Sequence, residues 1–258
     1  MVKESKKIDI DKLRGGVFLP IRGGGIRSSS AIGILKALEE FKIPVKGISG
    51  ESGSSIVAAL FACGYDADEI FEIFLRYNKD ITKGAKIYGG KGAVAIEEIV
   101  NKATNSVLMG NLPRKCWINA SQGSILKPKL YLFSNDDTPD ETLGFACSAS
   151  AGLPVFYGYA YKYIDGKRIK LFDGGSLYNP YIPADINYPI FYASFRNTIN
   201  YQRVIPFLQK PVDAVNAIAD VVVNAPVGKY VVTGSNEVIR ELVEAGYQET
   251  KKVLCRKP

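Results

Sequence analysis

Apolar residues fall in short blocks along this chain, and the spacing within each block predicts an element. Val17 to Ile21 is an apolar run followed by glycines, which predicts a short buried strand. Pro20 withholds an N–H from that run, so an edge or imperfect strand is expected. Ala31, Ile34, Leu35, Leu38 and Phe41 recur at helical spacing and predict an amphipathic helix over Ser30 to Phe41. Val45 to Ser49 reads as a second strand. Ser54 to Cys63 is small and apolar throughout, which predicts a buried helix with Gly64 as its C-terminal cap. Asp66, with Glu69 three residues on, resembles a capping box opening the next helix. Strand, helix, strand, helix is the pattern of a parallel sheet in an α/β fold.

Further along, a helix is expected near Ala95 to Ala103 and a strand at Leu130 to Phe133. Tyr161 to Phe172 has the form of a hairpin turning at Asp165-Gly166. Ile190 to Ser194 reads as a strand, and Val212 to Asn224 and Glu237 to Tyr247 as helices. There is no internal repeat or linker. The expectation is one α/β domain over residues 1–258, a mostly parallel central sheet flanked by helices in three layers. Its chemistry-bearing core runs from about 17 to 194, and a helical part from about 205 to 258 carries no recognised motif.

Composition narrows the chemistry. The longest apolar run, Ile56 to Cys63, has eight residues, well short of the roughly 18 that span a bilayer. The first residues carry charge with no apolar stretch behind them, so no secretory signal is expected. Cys63, Cys116, Cys147 and Cys255 lack the paired spacing of a disulfide framework or a zinc site, which suits reduced thiols in the cytoplasm. A net charge of +7 suits anionic lipid headgroups as well as nucleic acid. The basic residues cluster only near the ends (Lys3, Lys6 and Lys7; Lys251, Lys252, Arg256 and Lys257), no nucleic-acid module is present, and solvated termini explain them. The decisive count is zero histidines. It excludes an imidazole triad and any His-ligated metal, and no metal or cofactor is expected.

Three segments carry chemistry. Arg22-Gly23-Gly24-Gly25-Ile26-Arg27-Ser28 lies between a strand and a helix, where uncovered N–H groups and a helix dipole can hold an anion. A phosphate cradle, an oxyanion hole and a bare turn all fit it. It lacks the Lys-Ser/Thr of a P-loop, and Ser28 stands where a dinucleotide fingerprint needs its third glycine. Ile48-Ser49-Gly50-Glu51-Ser52-Gly53-Ser54 has the small flanking residues of a nucleophile elbow, with Ser52 at a helix N-terminus. Ser52 as a plain helix cap is the other reading. Leu171-Phe172-Asp173-Gly174-Gly175 places a carboxylate at a strand end, as a site residue or as a turn aspartate. Jointly they supply a nucleophile (Ser52), its sole proton acceptor (Asp173) and oxyanion donors (Gly23, Gly24, Gly25 and Gly53), the set needed for acyl transfer.

This set resembles the patatin-like phospholipases. The likeness extends through Gly33 to Glu40, Ala58 to Tyr65, Ala149-Ser150-Ala151-Gly152-Leu153-Pro154, and Asn179-Pro180, and it covers about 17 to 194. It implies a Ser52–Asp173 dyad acting without histidine on ester bonds of phospholipids or related acyl lipids, through a covalent acyl-enzyme. It also favours Arg27 as a residue that orients the glycine loop over one that binds a headgroup phosphate. The chain departs from the family pattern at Arg22, Ser28, Glu51 and Ser54. Those departures keep two alternatives open beside the hydrolase, a catalytically weakened lipid-binding protein and an acyltransferase. Nucleotide binding by the glycine loop would leave the elbow and Asp173 unexplained. Tyr157, Tyr159, Tyr161 and Tyr163 alternate on one strand-like face. That face suits an acyl groove, a lipid interface or a packed sheet. The expected partners are a lipid substrate and, peripherally, an anionic membrane surface.

Overall fold

Two strands, Val17–Ile21 (β1) and Phe191–Phe195, are buried at every residue, as strands in the middle of a covered parallel sheet must be. The computed structural model describes residues 10–84, 92–124, 127–154, 157–175, 178–195, 214–227 and 233–255. In chain order, α1 (Ile10–Arg14) precedes β1, and a 3₁₀ turn over Gly25–Ser29 leads into α2 (Ser30–Glu40). β2 (Val45–Glu51), α3 (Ser54–Ala62), α4 (Ala67–Gly84) and α5 (Gly92–Thr104) follow. Then come β3 (Lys115–Ser124), β4 (Lys127–Ser134), α6 (Leu143–Ala151), β5 (Ala160–Ile164) and β6 (Lys167–Phe172). β7 (Phe191–Phe195), α7 (Ala214–Ile218), β8 (Val221–Ala225) and α8 (Asn236–Leu254) complete the chain.

The chain forms a single α/β domain whose mostly parallel sheet is flanked by helices. β8, β7, β1, β2 and β3 lie side by side and parallel. β4 pairs antiparallel with β3 over Trp117 to Ser124, and the β5–β6 hairpin joins β3 antiparallel at Ser121 and Gln122. Because β4 already occupies one edge of β3 there, β6 must use the other edge, the one that β2 occupies from Lys115 to Asn119. β2 and β6 therefore approach end to end along a single edge of β3. β2 stops opposite Asn119 and β6 stops opposite Ser121, with Ala120 between.

Most of the expected elements form. Tyr65 N–H donates to the Leu60 carbonyl and Gly64 N–H to that of Phe61, so Gly64, at φ +111°, caps α3 as expected. Asp66 and Glu69 exchange backbone and side-chain bonds of 2.9 and 2.8 Å, completing the capping box. The hairpin turns at Asp165 and Gly166, both at positive φ. α3 is buried on every side, which explains its uniformly small, apolar sequence.

One expectation is narrowed and one is corrected. Of the two readings that Pro20 allowed, an edge strand or an imperfect one, β1 is the second, an imperfect strand inside the sheet. Phe18 and Arg22 N–H groups bond toward β7, to Pro189 and Ala193. Pro20, between them, points its missing donor to the same side, so the gap falls in the short β1–β7 ladder and leaves β1–β2 pairing intact. The helix expected over 212–224 is instead α7, then β8; residues 212 and 213 lie outside the described residues. Val221, Val223 and Ala225 are buried while Val222 and Asn224 are half-buried, the period of two of a strand, and β-branched residues favour it. The C-terminal part is thus not wholly helical. α8 docks on α2 at two glycines: a Cβ on Gly33 would lie 1.9 Å from the Val243 carbonyl oxygen, and one on Gly246 1.9 Å from that of Ser30.

Candidate active site

Ser52 is the first residue past β2 and has φ +53°, a left-handed conformation that a serine adopts only when its surroundings impose it. Those surroundings are specific. Its N–H donates to Ser150 Oγ at 2.9 Å, and Ser150 Oγ donates to the Asn119 carbonyl at 2.7 Å. Its carbonyl accepts from Ser55 Oγ at 2.6 Å and from Ser55 N–H at 3.0 Å. Gly50 must be glycine because a Cβ there would sit 2.6 Å from the Ser54 carbonyl oxygen.

Asp173 is the first residue past β6 and is 3% exposed. The end-to-end approach of β2 and β6 brings its Oδ2 within 2.6 Å of Ser52 Oγ, which donates to it. The aspartate backbone is clamped as firmly as the serine. Asp173 N–H donates to the Gly152 carbonyl at 3.1 Å, its carbonyl accepts from Ser121 Oγ at 2.9 Å, and Gly174 N–H donates to the Ser150 carbonyl at 3.1 Å. A Cβ on Gly174 would lie 2.0 Å from the Asn119 carbonyl oxygen, so only glycine lets the chain leave β6 this close to β3. The Ala149 to Pro154 segment thus has a concrete place. It is the end of α6 and its exit, and it ties both Ser52 and Asp173 to β3.

The glycine loop lies against the elbow. A Cβ on Gly53 would meet the Gly25 carbonyl oxygen at 2.6 Å. The Gly23 N–H, expected as an oxyanion donor, donates instead to Glu51 Oε1 at 2.9 Å. Arg27 is 2% exposed and its Nε donates to the Gly24 carbonyl at 3.1 Å, within the glycine loop. Two of the departures prove to be partners. Ser54 Oγ spends its one proton on the Arg22 carbonyl, so Ser28, 2.9 Å away, donates to Ser54. A pair of serines therefore fastens the start of the glycine loop to the elbow helix. Glu51 points inward and is 2% exposed. Burial pushes its carboxyl up to about 8, against the opposing pull of the Gly23 N–H and the Arg22 charge, and Asp173 pushes the same way as burial. Ser121 and Asn119 were not singled out in the sequence, and Ser150 entered only as part of the Ala149 to Pro154 segment, with no role. Polar residues at strand position 119 and 121, flanking buried Ile118 and Ala120, were the available signal.

A positive-φ serine at a strand-to-helix elbow, bonded to a buried aspartate at a second strand end, defines an α/β protein of the nucleophile-elbow class. The profile of the family described as patatin-like phospholipase matches residues 19–187, and the chain belongs to that family. It is similar over 55 residues, at 47% identity, to lysophospholipase NTE1 of Kluyveromyces lactis, a match covering 21% of this chain and 4% of that protein. For lysophospholipase NTE1 of Candida glabrata the identity is 49% over 53 residues, covering 20% and 3%. The chain thus matches a small fraction of the length of these relatives. Among solved structures, VipD from Legionella pneumophila superimposes with a TM-score of 0.59 at 16% identity, over 93% of this chain and 66% of that one. ExoU of Pseudomonas aeruginosa, in its complex with SpcU, gives 0.54 at 15% identity, over 93% and 51%. At such identities these two likenesses concern the fold.

The clamp at Ser150 generates a prediction. Ser150→Ala removes the acceptor of the Ser52 N–H and the donor to Asn119 in one step. Ester turnover is expected to fall about 10- to 100-fold through misplacement of Ser52, with the circular dichroism spectrum retained. Turnover within twofold of wild type would show that the elbow holds its strain without this clamp.

Proposed function

We propose that this chain is a lipid acyl hydrolase that cleaves carboxylic ester bonds of phospholipids or related acyl lipids through a Ser52–Asp173 dyad. The observation that carries the reading is the 2.6 Å bond from Ser52 Oγ to Asp173 Oδ2 at a strained elbow. In the proposed cycle Asp173 takes the Ser52 proton as Oγ attacks the ester carbonyl. The N–H groups of Gly24, Gly25 and Gly53 receive the oxyanion, aided by the N-terminal dipole of α3. Asp173 returns the proton to the departing alkoxide, then activates the water that releases the acyl group. An aspartate of ordinary pKa, about 3.9, is a weak base toward serine, so oxyanion stabilisation must supply much of the barrier reduction. The departures at Ser28, Ser54 and Glu51 do not dismantle this layout, since each forms a bond that holds loop and elbow together. This supports an active site over a weakened one.

The sequence expectation of peripheral contact with an anionic membrane also becomes local. Tyr157 is buried against Gly92, so the tyrosine stripe is split. Tyr161 and Tyr163 are 42% and 69% exposed, and Arg168 lies 3.7 Å over the Tyr161 ring and Lys170 3.6 Å over that of Tyr159. This face of the β5–β6 hairpin alternates aromatic rings and cations, a composition suited to the headgroup zone. No helix among the described residues is long and apolar enough to cross a membrane. The four cysteines are unpaired, which supports a reducing compartment, and we place the protein in the cytoplasm with contact at the membrane surface.

Two experiments test these readings. Ser52→Ala and Asp173→Asn should each lower ester turnover on lysophospholipid or a short-chain ester by at least about a thousandfold, with folding retained. Turnover that survives in either variant would remove the dyad. Arg168→Gln combined with Lys170→Gln should weaken sedimentation with phosphatidylglycerol vesicles about 30-fold and leave binding to phosphatidylcholine vesicles as weak as in wild type. Unchanged binding to the anionic vesicles would remove the hairpin from the contact.

A further inference from the structure

Glu51 is a buried ionisable group beside the dyad that the proposed cycle does not use. It ends β2, precedes Ser52, and pairs in register with Asn119 of β3. One oxygen, Oε1, accepts the Gly23 N–H at 2.9 Å. The other, Oε2, is buried with no hydrogen-bond partner, and so is Oδ1 of Asn119; the Asn119 side chain pulls the Glu51 carboxyl down, but burial outweighs it. Asn119 Nδ2 is turned the other way, toward the Asn179 carbonyl at 3.5 Å. Two unpartnered buried acceptors on register-paired residues are each costly, and one proton shared between them satisfies both. An ionised Glu51 would in addition place a second negative charge next to Asp173, where Arg22 is the facing cation.

We propose that Glu51 is a neutral carboxylic acid that positions the glycine loop, its O–H donated to Asn119 Oδ1 and its Oε1 held by Gly23, and that loss of this proton turns the site off. The inference rests on the dyad reading only for its effect on turnover. In the neutral form one group links three parts of the site: β3 through Asn119, the elbow through its own backbone, and the glycine loop through Gly23. The loop is thereby held close enough that a Cβ on Gly23 would lie 3.0 Å from the Ser52 Cβ. Release of the proton to solvent removes the bond to Asn119. It also adds a second negative charge next to Asp173, which opposes the charge an oxyanion must develop nearby. Burial as the leading cause agrees with a group that is protonated at neutral pH and ionises near 8.

Glu51→Gln tests this on the full chain. The amide keeps an acceptor for Gly23, offers an N–H to Asn119 and cannot ionise. The first readout needs no activity. A carboxyl raised from 4.5 to about 8 on folding contributes stability that is complete below 4.5 and is lost as pH rises through 8. The unfolding constant of wild type should therefore rise about tenfold per pH unit relative to the variant across that window, measured by denaturant titration. The second readout is kcat/KM, which should fall about tenfold per pH unit above 8 in wild type and stay level in the variant. Parallel stability profiles, or an alkaline limb that persists in Glu51→Gln, would overturn the proposal. Divergent stability profiles with no ester turnover by wild type would support the neutral Glu51 and count against the hydrolase reading. Should the variant not fold, an infrared difference spectrum of wild type between pH 6 and pH 10 must show loss of a buried protonated-carboxyl band; its absence also overturns the proposal.

Discussion

Everything at the site depends on one edge of β3 being shared. β2 runs parallel to β3 and stops opposite Asn119; β6 runs antiparallel and stops opposite Ser121. Two strand ends therefore point at each other across a single residue, and whatever follows each strand must turn out of the sheet at the same place. Ser52 follows one and Asp173 the other, which is why residues 121 positions apart come within a hydrogen bond. The arrangement is held by backbone. The Asn119 carbonyl accepts from Ser150, Ser121 Oγ donates to the Asp173 carbonyl, and Gly174 passes so close to Asn119 that no side chain fits.

Holding a serine at positive φ costs of order 1–3 kcal/mol, and the structure offsets this by distributing bonds around the turn rather than by any one contact. Ser150 takes the Ser52 N–H, Ser55 takes its carbonyl, and the Ser28–Ser54 pair ties the neighbouring loop to the elbow helix. Small hydroxyls suit this work because they fit between closely approaching backbones and both donate and accept. The same confinement sets the electrostatics. Where water is excluded, burial raises a carboxyl's pKa and a neighbouring carboxylate adds to the rise, which is the setting of Glu51 beside Asp173.

Much of this was legible in the sequence, for a physical reason. Strand and helix spacing, the Asp66–Glu69 capping box, the Gly64 cap and the Asp165-Gly166 turn are local, and local chemistry determines them. The elbow, the glycine loop and Asp173 were legible because each sits at an element boundary with glycines that serve no simpler purpose, and because the absence of histidine leaves a carboxylate as the base. What escaped was non-local. Nothing near Ser150 in sequence says that it faces Ser52, and nothing near Gly23 says that Glu51 claims its N–H. Pro20 left an edge strand and an imperfect one both open because a ladder has two sides, and only the fold decides which side receives the missing donor. Val212 to Asn224 was read as helix because its valines satisfy both periods over a short stretch; β7's need for a parallel neighbour decides between them.

The claim on which the rest stands is that Ser52 is the nucleophile and that Asp173 is its base. Reaction with a fluorophosphonate tests it most directly, since the adduct forms on the activated oxygen itself and can be located by peptide mapping. The account predicts a single adduct on Ser52, formed at least about a hundredfold more slowly in Asp173→Asn. An adduct on another residue, or equal rates in wild type and Asp173→Asn, would contradict it.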